Sequence, residues 1–126
     1  MENTENNNSE EVEIILPNES KIQQQIFIWF NNNFCLKHHN PRSIIWSVPN
    51  GGTRNKIEAI ILKATGLLPG VSDLILIHLG KVVFVEVKTP IGKQSVQQID
   101  FEQRIKNNGF EYHLVRSLDE FKQILS

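Results

Sequence analysis

Apolar residues recur at two different periods along the chain, and the changes of period mark its elements. Ile22, Ile26, Trp29, Phe30 and Phe34 fall three or four positions apart, the spacing of one helix face. They predict a first helix over about residues 19–34, with Asn18 as its N-cap after Pro17. The loop KHHNPR (37–42) leads to a short strand, Ile44–Val48, closed by a turn at Asn50-Gly51-Gly52. Thr53 is placed to cap a second helix through Ile57, Ile60, Ile61 and Ala64, ending near Gly66. Two continuous apolar runs, Leu74–Ile77 and Val82–Val85, predict a hairpin with strands near 72–79 and 82–88 that turns at Gly80-Lys81. A third helix of about 94–108 ends at Asn108-Gly109, Glu111–Val115 forms the last strand, and Ser117 caps a last helix reaching Leu125. The order is α-β-α-β-β-α-β-α, and the third helix has the right length for a right-handed crossover. The chain therefore reads as an α/β domain, a mixed β-sheet flanked by helices. Residues 17–126 form that single domain, behind an acidic, Asn-rich, flexible tail over residues 1–16.

Three charges interrupt the apolar hairpin: Asp73, Glu86 and Lys88. With Gly80-Lys81 as a two-residue turn, Leu79 faces Val82, Asp73 falls opposite Lys88, and Glu86 falls opposite Ile75. Side chains alternate along each strand, so the three charges share one face at one end of the hairpin, while Leu74, Leu76, Val83, Val85 and Val87 line the core. Asp73 and Glu86 become diagonal neighbours with Cα atoms roughly 7–8 Å apart. Two carboxylates so placed can reach one cation at the Mg²⁺ bond length of about 2.0–2.1 Å. The competing reading is a cross-strand Asp73–Lys88 ion pair with Glu86 in solvent. A strand this apolar on both sides is central, however, so Glu86 is expected to be covered and to need a partner or a metal.

Other positions point the same way without deciding the matter. Glu19 shares a helix side with Ile22, Gln23 and Ile26, which makes it either a further acidic ligand or a first-turn residue favoured by the helix dipole. Gln98 lies with Phe101 and Ile105 on the face expected against the sheet, within reach of the hairpin's polar end or simply at a boundary. Asn50, Gly51, Gly52 and Arg54 combine bare backbone N–H groups, a helix N-terminus and a cation, either as a phosphate seat or as a plain tight turn. His38, His39, His78 and His113 are scattered and read as structural or surface residues, and Cys35 has no partner for a disulfide.

Composition changes the picture in one respect. A 40% hydrophobic and 21% charged chain is ordinary for a globular protein. No apolar run approaches the roughly 20 residues of a membrane span, and the N-terminus lacks the apolar stretch of a secretory signal, so no membrane association and a cytoplasmic location are expected. The net charge of −1 is unevenly spread, because residues 1–16 hold five of the 14 acidic groups and no Lys or Arg. Residues 17–126 carry all 13 basic groups against nine acidic ones, a balance that permits a polyanionic partner.

Asp73, twelve residues, then Glu86-Val87-Lys88 matches the D…ExK signature of nucleases, and the surrounding segments narrow the match. VPNGGTR (48–54), LLPGVSDLIL (67–76), EVKTPIGKQSVQQ (86–98) and NGFEYHLVRSLDE (108–120) together resemble a stand-alone VRR-NUC (virus-type replication-repair nuclease) domain of the PD-(D/E)xK superfamily. The resemblance spans about residues 19–125, and its order of PNGG, PG-x-x-D, ExK and S-x-x-Q is more specific than D…ExK alone. It departs at Ser72, where that family usually has Pro, a backbone feature and not a ligand.

The resemblance implies a restriction-endonuclease-like core. It implies Mg²⁺ (or Mn²⁺) held by Glu19, Asp73, Glu86 and the Val87 backbone carbonyl. Lys88 carries over as the catalytic lysine beside Asp73 and Glu86, and Gln98 as the supporting residue of S-x-x-Q. The implied activity is a metal-dependent, structure-selective DNA endonuclease that hydrolyses phosphodiester bonds in branched DNA such as Holliday junctions. Such proteins act in DNA repair as homodimers, in a bacterial or phage-infected cell. Two alternatives stand: a nuclease on linear duplex or single strands in defence or mobile-element biology, and a non-catalytic nucleic-acid-binding module. The intact Asp73, Glu86 and Lys88 set speaks against the last.

Overall fold

The computed structural model describes residues 17–49 and 55–126. The acidic tail (1–16) and the expected phosphate seat at Asn50, Gly51, Gly52 and Arg54, together with Thr53, lie outside the described residues. The elements run α1 (Asn18–Phe34), β1 (Ile44–Ser47), α2 (Lys56–Ala64), β2 (Leu74–His78), β3 (Lys81–Val87), α3 (Val96–Asn107), β4 (Glu111–Val115) and α4 (Leu118–Ile124). This is the order expected from the hydrophobic pattern.

Two caps differ from expectation. Asn18 is the first residue of α1, and the N-cap is Pro17, which makes no side-chain cap bond. For α2 the cap is Asn55, whose side chain accepts the Glu58 N–H at 2.7 Å while the Glu58 carboxylate accepts the Asn55 N–H at 3.2 Å. That reciprocal pair satisfies two donors that would otherwise be orphaned at a helix start. Ser117 caps α4 as expected, accepting the Glu120 N–H at 3.1 Å.

The four strands among the described residues form one sheet in the order β1-β2-β3-β4. β1–β2 and β2–β3 are antiparallel, and β3–β4 is parallel, with α3 as the crossover between them. The sheet is thus mixed, and β3 is interior, which is why Val83, Val85 and Val87 are all buried. Helices α1 and α4 cover one face. There Ile26 and Phe30 of α1 and Phe121 of α4 meet Leu74, Leu76, Val83, Val85, Val87 and Val115 in the core. α3 covers the other face, where Phe84 packs edge-on against Phe101 at 5.8 Å and Phe110 at 6.3 Å between ring centroids. No helix among the described residues is long and apolar enough to cross a membrane.

The hairpin turns one residue earlier than the sequence suggested. Leu79 and Gly80 are its two central residues, both at positive φ (51° and 80°), and His78 pairs with Lys81. Positive φ at both positions gives a turn whose twist matches the strands it joins. It leaves Lys81 extended, within β3. Opposed residues therefore differ from the expected pairs by two positions. A shift of two preserves the face of every side chain, so the core residues are those expected, although the cross-strand partners are not.

Candidate active site

The polar end of the hairpin is built where β2 begins, β3 ends and α3 begins. Leu74 pairs with Val85, so one further step of the register sets Asp73 opposite Glu86, and Lys88 lies two residues beyond Glu86 on the same face. The sequence expectation of Asp73 opposite Lys88 is corrected accordingly, and Lys88 pairs with Glu86 instead, Nζ to Oε2 at 3.5 Å. Asp73 is half-buried and tied on both sides. Its carbonyl accepts the Val48 N–H at 2.9 Å, and its Oδ2 accepts the Val87 N–H at 2.8 Å.

Glu86 is 1% exposed, so it is not the solvent-facing edge group of the competing reading, and Lys88 beside it is 8% exposed. Glu86 Oε2 accepts a hydrogen bond from Gln98 Nε2 at 3.0 Å. Glu86 Oε1 is buried with no hydrogen-bond partner among the described residues. Native proteins rarely leave a carboxylate oxygen in that condition.

The electrostatics follow from this enclosure. Burial, and after it the charge of Asp73, push the Glu86 carboxyl up to about 8, with Lys88 opposing the shift. Asp73 is raised mainly by burial as well; the Val87 N–H opposes the rise and the charge of Glu19 adds to it. Two neighbouring carboxyls that resist ionising are groups whose charged forms a nearby cation would stabilise.

Gln98 reaches Glu86 because of how α3 starts. Ser95 is the N-cap and accepts the Gln98 N–H at 3.2 Å, while Gln98 Oε1 accepts the Ser95 N–H at 2.9 Å. The S-x-x-Q spacing is thus a capping box whose amide has one end on the helix terminus and the other on Glu86. The PG-x-x-D segment has an equally physical reason. Gly70 sits at φ 89°, and a Cβ there would run into the backbone carbonyl of Gln97. Only glycine lets the approach to Asp73 lie against the first turn of α3. The sequence reading missed the roles of Gly70 and Ser95. The S-x-x-Q spacing was the available signal for the cap, whereas the Gly70 contact is tertiary and leaves no mark in the string.

Of the remaining expected residues, Glu19 is half-buried in the first turn of α1 and near enough for Asp73 to feel its charge. Among the described residues no three carboxylate, imidazole or thiol side chains stand together as a ready metal cluster, so Glu19 is a neighbour of the pair and not a closed third member. Val87 is buried in β3 with its N–H committed to Asp73. The donors at hand are nevertheless of the kind a hard divalent cation takes, oxygen atoms led by two carboxylates, with Glu86 Oε1 unpartnered. The residues fit Mg²⁺ or Mn²⁺.

Comparison with known proteins identifies the family. The VRR-NUC domain family model matches residues 7–119. Among solved structures, one described as a VRR_NUC domain protein is 17% identical over 89% of this chain and 88% of its own, with a TM-score of 0.67. Another, described as a VRR_NUC domain, is 17% identical over 87% of this chain and 96% of its own, with a TM-score of 0.60. At that identity the structural likeness speaks for the fold alone. A comparison with curated proteins finds no match. With the family model matching nearly its whole length, the chain belongs to the VRR-NUC domain family, which implies a nuclease-type function with DNA as substrate.

Proposed function

We propose that this protein is a Mg²⁺- or Mn²⁺-dependent, structure-selective endodeoxyribonuclease acting on branched DNA such as Holliday junctions, with residues 17–126 as one nuclease domain. The observation that carries the metal-dependent reading is the enclosed Glu86, with Oε1 unpartnered beside Asp73 and Lys88. Asp73, Glu86 and the Val87 carbonyl would hold the cation, with Glu19 of α1 as the neighbouring carboxylate that would join them. A divalent cation bound there supplies Lewis acidity, offsetting phosphate charge and making water a better nucleophile. The protein's own groups do the rest. The Val87 N–H fixes the Asp73 carboxylate, Gln98 fixes Glu86, and the Lys88 ammonium stands next to Glu86 where it can orient water or shield a phosphate oxygen. Asn50, Gly51, Gly52 and Arg54 bind a backbone phosphate. Two adjacent glycines and a cation in that segment support the role.

A homodimer suits a substrate with two symmetric strands to cut. The exposed apolar face of α2, with Ile57, Ile60 and Ile61, supports a second copy as partner. Labelled four-way junctions, linear duplex and single strands, each incubated with Mg²⁺, Mn²⁺ or EDTA, test the reading. Junctions are cut in preference to linear forms, and only with the cation. Equal rates on linear duplex would remove the substrate assignment, and cutting in EDTA would remove the metal.

A further inference from the structure

Between Lys88 and the start of α3 the chain makes a turn, Thr89-Pro90-Ile91-Gly92, in which the Gly92 N–H donates to the Thr89 carbonyl at 3.0 Å. At its tip Ile91 is 89% exposed, and Pro90 beside it is exposed too. A lone exposed isoleucine is unremarkable on any surface. This one differs because its loop is braced. Arg116, half-buried after β4, donates from Nη1 to the Thr89 carbonyl at 2.6 Å and to the Gly92 carbonyl at 2.8 Å. A guanidinium that could serve DNA directly is committed instead to two main-chain oxygens, one on each side of the tip. The loop also rests on the site itself: a Cβ at Gly92 would lie 3.5 Å from Lys88 Cδ and 3.1 Å from Thr89 Oγ1. Ile91 is three residues from Lys88, within about 10 Å along the chain. Exposed Lys93 follows it, and Val96, 80% exposed, projects from the first turn of α3.

We infer that Pro90-Ile91 is a wedge that enters the base stack of the bound DNA beside the cut site and thereby reads interrupted stacking. The inference rests on the nuclease reading above and names what selects its substrate. Apolar side chains, Ile and Pro among them, are the groups that DNA-binding proteins insert between base steps. Separating neighbouring base pairs costs least where the strands already change direction and the stack is interrupted, so a wedge favours a branch point over continuous duplex. A wedge must be stiff, since a floppy tip would lose in ordering what it gains in stacking. The proline and the Arg116 brace supply that stiffness, and Lys93 supplies a cation for the flanking phosphate.

The test reads base stacking, not cleavage. A four-way junction carrying 2-aminopurine at the branch, and a linear duplex carrying it mid-strand, are titrated with the full chain in Ca²⁺ without Mg²⁺. The wild type raises fluorescence at the branch. Ile91→Ala abolishes the rise and weakens junction binding about tenfold, ~1.4 kcal/mol, with a smaller effect on the duplex, while Ile91→Leu keeps the rise. An unchanged rise in Ile91→Ala overturns the wedge and leaves the nuclease reading standing. So does conversion of a dimer to a monomer by Ile91→Ala in sedimentation, which would make the tip a subunit contact. Failure of the wild type to bind either DNA overturns both.

Discussion

Replacing Glu86 by glutamine keeps the shape of a side chain that is 1% exposed and removes its charge. Burial and Asp73 raise the folded-state value of this carboxyl from 4.5 to about 8. A raised value means that the folded protein favours the protonated form. The stability from that preference is fully present below pH 4.5 and is lost as pH rises through about 8. At 1.36 kcal/mol per unit, the full shift sets an upper bound of about 5 kcal/mol above pH 8. Relaxation and water penetration around a buried charge bring the expected value to roughly 2–3 kcal/mol. The amide oxygen of Glu86→Gln can still accept from Gln98, so the hydrogen bond at Oε2 survives, and the Lys88 ammonium keeps a neutral acceptor in place of its ion-pair partner. Without divalent cation, the variant should therefore match the wild type at pH 4.5 and exceed it at pH 8.5 by about 2–3 kcal/mol, or roughly 10 °C in Tm for a chain of this size. Urea and thermal unfolding at the two pH values, in EDTA, measure the difference. Adding Mg²⁺ or Mn²⁺ should stabilise the wild type, which keeps the carboxylate, far more than the variant. A glutamine variant less stable at pH 8.5, or a difference that does not change with pH, would refute the reading of Glu86 as a carboxyl that is costly to ionise where it is buried.

Other perturbations separate architecture from chemistry. Gly70→Ala places a Cβ at a left-handed position and against the Gln97 carbonyl, and should destabilise by about 2 kcal/mol or more in urea unfolding. Ser95→Ala removes the hydroxyl that accepts the Gln98 N–H and should lower stability by about 1 kcal/mol, while Ser95→Thr restores it; cleavage should fall in the alanine variant alone, because the helix turn that carries Gln98 to Glu86 is loosened. Phe30→Ala opens a fully buried site among Phe34, His78 and Phe121, and should destabilise by about 3–5 kcal/mol in the same assay.

Much of the fold was legible because its signals are local. The Ile22–Phe34 spacing, the uninterrupted apolar runs of the hairpin and the Ser117 cap each specify an element without reference to the rest of the chain. The hairpin shows where such reading stops. The string offers Leu79-Gly80 and Gly80-Lys81 as turns, and the wrong choice moves every cross-strand partner by two while leaving every face unchanged. Hence the convergence of Asp73, Glu86 and Lys88 on one side was readable, but the pairing of Glu86 with Lys88 was not. Three-dimensional contacts account for the other misses. Gly70 is fixed by the backbone of α3, and Arg116 by carbonyls more than twenty residues earlier in the chain. The Ser95–Gln98 box was visible as a spacing, but its second function, holding Glu86, appears only once α3 is set on the sheet.

The central claim, that the enclosed Asp73, Glu86 and Lys88 set performs metal-dependent phosphodiester hydrolysis, meets its most direct test in single-turnover cleavage of a labelled junction by wild type, Asp73→Ala and Lys88→Ala. The account predicts that Mg²⁺ restores cutting to the EDTA-treated wild type only, and that both variants bind the junction yet leave it intact. Undiminished cutting by either variant would contradict it.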